Sequence, residues 1–175
     1  ILAANKLQSY GCNALYRDFA PDFLIAVGDT IVKEIAESDF TTDHIVYANG
    51  EYIQAYPGKF YLIPQNVSYD AGALAVYMAC FDGHKKIFLM GYDGCHGHSP
   101  VNNIYKDTNG YPSSGELQDE IFWNKSLTTV IATYNDVEFV SVMPTKNWYA
   151  NDDFHRLTNF RQISFRDFVI EADLG

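Results

Sequence analysis

The chain has 175 residues, 47% hydrophobic and 15% aromatic, which suits one domain with a sizeable core and excludes a disordered chain. Its formal net charge is -10, from 22 acids against 12 bases, and it has no Lys/Arg run. That excludes nonspecific nucleic-acid binding, which needs clustered cations, and disfavours an anionic membrane surface.

Residues 1–10 read as a first strand or its remnant, ending near Tyr10. Gly11-Cys12-Asn13-Ala14 reads as a turn into a helical turn at Leu15 and Tyr16, which Pro21 stops. Phe23-Leu24-Ile25-Ala26-Val27 is continuously apolar and closes at Gly28-Asp29, as a strand buried on both faces of a parallel sheet would. Residues 30–38 read as a helix capped by Asp29 or Thr30. His44-Ile45-Val46-Tyr47-Ala48 is a third strand ending at Asn49-Gly50, and Phe60-Tyr61-Leu62-Ile63 a fourth, stopped by Pro64. Residues 70–81 are apolar nearly all round, the pattern of a buried helix, with Gly83 ending it. Ile87-Phe88-Leu89-Met90 is the next strand. Residues 94–115, rich in Gly, Asn, Ser and Pro, form a long loop or lid, 116–134 a helix and 137–142 a strand. Residues 163–170 are apolar and fit either type.

This alternation predicts a single α/β domain over 1–175: Rossmann-like, with a mainly parallel sheet and helices on both faces. Ligands of such sheets bind at the carboxyl ends of the strands, where strand order reverses. The residues expected there are Gly11-Cys12-Asn13, Gly28-Asp29, Asn49-Gly50, 66–72 and Gly91-Tyr92-Asp93. Turn geometry also favours Gly, Asn and Asp at such positions.

The three cysteines, Cys12, Cys80 and Cys95, are too few and too scattered for a disulfide framework, so reduced thiols and a cytoplasmic location are expected. No apolar run reaches membrane-spanning length and no leader is visible; the chain opens at Ile1 without Met, as a truncated or processed chain would. Cys95-His96-Gly97-His98 has poor zinc spacing and no second Cys/His pair, so no metal site is expected. One loop histidine fits general acid–base work, with a solvated histidine as the alternative. Asp93 and Asp29, each just past a strand, fit acceptance from a sugar hydroxyl, metal binding or turn capping. Ser68-Tyr69-Asp70-Ala71-Gly72 opens the most buried helix. Gly72 would let a ligand approach the backbone and the helix dipole would favour an anion, whereas Asp70 could fill the cap itself. The phosphate loop GxxxxGK[ST], the GxGxxG fingerprint and the GxSxG elbow are all absent.

Taken together, 66–72, the small-residue helix after it, Gly83-His84-Lys85-Lys86, the strand at 87–90 and Gly91-Tyr92-Asp93 resemble a core block. The block is that of bacterial sialyltransferases of the Campylobacter type and of the related 6-hydroxymethylpterin diphosphokinase-like proteins. Gly11-Cys12-Asn13-Ala14-Leu15 is similar to their N-terminal nucleotide loop. The resemblance implies a nucleotide-binding domain, for a CMP-sugar in one branch and ATP in the other. It puts Asn13 near the donor phosphate or ribose, Asp29 and Asn49 at the nucleotide edge, and Gly11 and Gly91 among the nucleotide-binding residues. Ala71 and Gly72 would present backbone to the nucleotide, and Tyr92 and Asp93 would flank base or sugar. Asn13 is one place out of the family's register, and Asp70 and Ala71 stand where the family has hydroxyls. His96, His98 and Tyr105 lie in the loop corresponding to the family's catalytic lid. The expected function is a nucleotide-sugar-dependent glycosyltransferase with direct transfer, His96 or His98 as base beside Asp93, and no obligatory cofactor. The alternatives are a diphosphokinase-like enzyme with Mg²⁺ between Asp29 and Asp93, and a noncatalytic nucleotide-binding or assembly module that forms homo-oligomers or binds a protein.

Overall fold

The computed structural model of the chain describes residues 7–92, 103–111, 120–144 and 152–173. Apolar runs become short parallel strands: β1 (Tyr10–Cys12), β2 (Phe23–Ile25), β3 (Ile45–Ala48) and β4 (Tyr61–Leu62) pair in the order β1-β2-β3-β4. A second sheet of β5 (Lys86–Met90), β6 (Glu138–Met143) and β7 (Phe160–Ser164) pairs in that order, again all parallel. Leu24 sits between Gly11 and Val46 in the first register, and Ser141 between Leu89 and Gln162 in the second.

The helices follow from their apolar faces. Ile31, Val32, Ile35 and Ala36 make one buried stripe on α1 (Asp29–Glu37). Two short helices, α2 (Phe40–Asp43) and α3 (Gly50–Ala55), flank β3. Every residue from Ala73 to Cys80 is buried in α4 (Ala71–Phe81), as a helix wrapped on all sides requires. Past its end Gly83 takes φ +91, and Gly83 N–H and His84 N–H bond Cys80 O at 3.0 Å and Ala79 O at 3.3 Å, closing the helix. Asn159 Nδ2 donates to Ile131, Tyr134 and Val137 carbonyls around the end of α5 (Glu120–Thr133). The last elements are α6 (Asp152–His155) and α7 (Phe165–Glu171).

Strand side chains alternate between two cores. Ile25, Ile87, Leu89 and Phe139 pack with α4 and α5 on one face. Leu24 and Val46 pack with α1, and Val140 and Val142 with Phe168 of α7, on the other. The result is the α/β, Rossmann-like architecture, with helices on both faces. From β1 the chain builds outward to β4, and α4 carries it back past β1 to β5, so strand order reverses between β1 and β5. The two strands run the same way: His84, ahead of β5, meets Gln8, ahead of β1, at 2.7 Å, while Tyr92 past β5 meets the Cys12 end of β1.

Several boundaries differ from the sequence reading. Gly11 and Cys12 are strand, not turn, because they pair with Leu24 and Ile25; the turn begins at Asn13 as a 3-10 helix over Asn13–Arg17. Asp29 does not cap α1; its carboxylate accepts from Tyr52 Oη at 3.0 Å. The undecided tail piece is the end of β7 followed by α7, capped by Ser164 on Asp167 N–H at 3.1 Å. Among the described residues no helix is long and apolar enough to cross a membrane.

Candidate functional site

The carboxyl ends of β1 and β5, with the start of α4 between them, gather the polar groups. Asp70 is the N-cap of α4. Its Oδ1 accepts from Gly72 N–H at 2.9 Å and Ala73 N–H at 3.2 Å. Its Oδ2 is buried and finds no hydrogen-bond partner among the described residues. Burial raises the Asp70 pKa, against the pull of the two amides. Tyr92 leaves β5 through Gly91, which has φ +79, and its hydroxyl donates to Gly72 O at 2.8 Å. A Cβ on Gly72 would stand 3.2 Å from Tyr92 Cε1 and 3.2 Å from Asp70 Oδ1. The glycine therefore admits a tyrosine ring and a carboxylate, both from this chain.

Cys12 and Tyr111 complete the cluster. Burial, then Asp70, pushes the Cys12 thiol up to about 12, so it is no thiolate nucleophile near neutrality. Burial pushes Tyr92 well above its ordinary value, with Cys12 and Asp70 adding to it. Tyr111 is raised by burial and then by Cys12, and eased by Ala14 N–H, the Asn13 side chain and Arg17. The cluster thus holds one orphan carboxylate oxygen beside Cys12 and Tyr92, with the Tyr92 proton already given to Gly72 O.

The residues singled out in the sequence divide three ways. Gly11, Asn13, Gly72, Gly91 and Tyr92 converge on this edge. Asn13 is at φ +50, a left-handed conformation asparagine tolerates, and its Oδ1 accepts from Val27 N–H at 2.9 Å, tying the end of β1 to the end of β2. Ala71 and Gly72 open α4, but the Gly72 amide is already given to Asp70, so its N–H does not face open space. Asp29 and Asn49 lie farther along the edge. Asn49 Nδ2 donates to Val67 O at 3.0 Å and holds the turn ahead of Asp70. Asp93, His96 and His98, expected as catalytic, lie outside the described residues, as does Cys95.

Sequence reasoning weighed Asp70 only as a helix cap and passed over Tyr111. A tyrosine closing a Gly/Asn-rich stretch, Asn109-Gly110-Tyr111, is the signal that was there to read. Its segment is fastened by Arg17, which donates to Thr108 Oγ1 at 2.7 Å, Asn109 O at 2.9 Å and the Glu34 carboxylate at 2.7 Å. Asn109 Nδ2 also donates to Glu34. Burial works against the Glu34 charge, yet the bonds from Tyr16, Asn109 and Arg17 outweigh it and lower the pKa. Among the described residues no three of His, Cys, Asp and Glu gather as a metal site. No family model, curated protein or solved structure matches the chain.

Proposed function

We propose that the chain is a nucleotide-sugar-dependent glycosyltransferase, sialyltransferase-like in its direct transfer. The observation that carries this reading is the orphan Asp70 Oδ2 at the strand-order reversal, beside Cys12 and Tyr92, with Tyr111 next to Cys12. A ribose or sugar hydroxyl donating to that oxygen would satisfy it, and the Tyr111 hydroxyl would serve a further oxygen of the donor. The phosphate would lie beyond the α4 cap, since Asp70 holds the first amides of that helix. A histidine of the adjoining loop, His96 or His98, would take the proton of the acceptor hydroxyl as the bond to the departing phosphate breaks.

Thermal melts with CMP, UDP, GDP and ATP, each with and without Mg²⁺, test the reading. CMP or UDP at a hundredfold excess over Kd should stabilise the fold by about 2.7 kcal/mol without metal. A shift seen only with ATP and Mg²⁺ would transfer the assignment to the diphosphokinase-like reaction. No shift with any nucleotide would overturn nucleotide use altogether.

A further inference from the structure

β1 and β5 face each other across a slot of about 540 Å³. Residues 8–11 form one rim and 86–90 the other. Ala75, Val76 and Ala79 of α4 close one face, and Leu15, Pro21 and Phe168 stand on the other. Each rim is the open edge of a sheet: among the described residues β1 pairs only with β2, and β5 only with β6. An apolar channel with a strand on each side and a helix layer above and below has the walls of a strand's seat in a three-layer sandwich.

We propose that this slot receives one further β-strand, parallel to β1 and β5, supplied by polypeptide outside these 175 residues. Buried backbone N–H and C=O groups require partners, and the two rims offer them on both sides of one extended chain. An acyl chain or other apolar ligand would fill the volume and leave both edges unsatisfied. The parallel direction follows from the rims, which run the same way and belong to all-parallel sheets. Residues 1–6 are too few to run through the slot in parallel and return to Leu7, since a parallel crossover takes about a dozen residues or more. None of the segments 93–102, 112–119 and 145–150 has the continuous apolar run of a strand buried on both faces. With the strand seated, the two sheets become one and strand order reverses around the newcomer, beside Asp70.

The test uses the chain itself and a synthetic heptapeptide with a Val-Ile-Val-Ile-Gly core between two lysines. Its control is the same peptide N-methylated at alternate residues, which keeps the side chains and removes backbone donors. Binding is followed by fluorescence anisotropy, and hydrogen exchange by mass spectrometry. The parent peptide should bind at least about tenfold more tightly than its control, the effect of about 1.4 kcal/mol of lost pairing. It should slow exchange in 8–12 and 86–90 and leave β4 unchanged. Equal binding of both peptides would make the slot a plain apolar cavity and overturn the proposal. So would no binding, a dimer whose β1 and β5 amides are already protected, or affinity gained only after residues 1–6 are deleted.

Discussion

Asp70 carries two jobs on its two oxygens, and they can be separated. Asparagine caps a helix about as well as aspartate, so Asp70→Asn should keep α4 while losing the charge. The Asp70 pKa is raised in the folded chain, by burial first. Such a group contributes stability that is full below its ordinary value of 3.8 and is lost as pH rises through the folded value. The stability of Asp70→Asn relative to the parent should therefore improve as pH rises above 3.8, read from urea midpoints. A gap that stays flat would mean that Asp70 Oδ2 is solvated. Gly72 makes a related point. In an open helix Gly→Ala gains about 0.5–1 kcal/mol. Here the new Cβ would press on Tyr92, whose hydroxyl is bound to Gly72 O at 2.8 Å and whose ring packs against Trp123. Gly72→Ala should instead cost about 1–2 kcal/mol, and most of that should vanish in a Tyr92→Leu background.

At the scale of elements, the segment Asn103 to Tyr111 is held to α1 by side chains rather than by a sheet. Arg17→Met removes its bonds to Thr108, Asn109 and Glu34 while keeping much of the apolar stem. Local opening of 103–111 should become easier by about 2 kcal/mol, roughly thirtyfold faster amide exchange, with the β2 and β3 amides unchanged. The sequence showed this architecture where burial was two-sided: β2, β3, β5 and β6 are apolar runs, and α4 is apolar all round. It hid β7, whose Phe160-Arg161-Gln162-Ile163-Ser164 alternates polar groups because one edge and one end are wet. It hid α3 behind Asn49-Gly50, a pair that reads as a turn and here starts a helix. The glycines and Asp70 of the site were legible because turns and caps are local. The Arg17 fastening was not, since its partners lie 17, 91 and 92 residues away and no local pattern encodes such a meeting.

For the molecule as a whole, the charge of -10 is a self-repulsion set against a few well-placed ion pairs. One group joins the amino-terminal part of the second sheet to the last helix. Lys86 on β5 and Arg161 on β7 each pair with both Glu138 on β6 and Glu171 on α7, with Arg161 Nε to Glu138 Oε1 at 2.7 Å. Hydrogen bonds from Arg161 and then Lys86 pull the Glu171 pKa down to about 2. A carboxylate depressed in the folded state contributes stability above its ordinary value of 4.5 and loses it as pH falls toward about 2. Glu171→Gln should therefore be about 1 kcal/mol less stable than the parent at neutral pH, a figure kept small because the side chain is 27% exposed to screening solvent. That gap should close between about pH 4.5 and about pH 2, because there the parent gives up the same charge. Salt separates this contact network from the general repulsion. Raising NaCl to about 0.5 M should stabilise parent and variant alike by screening the net charge, while the gap between them narrows only in part, since the paired groups touch at less than the Debye length. A gap that disappears in salt at neutral pH would show that Glu171 acts through the long-range field and not through its two partners.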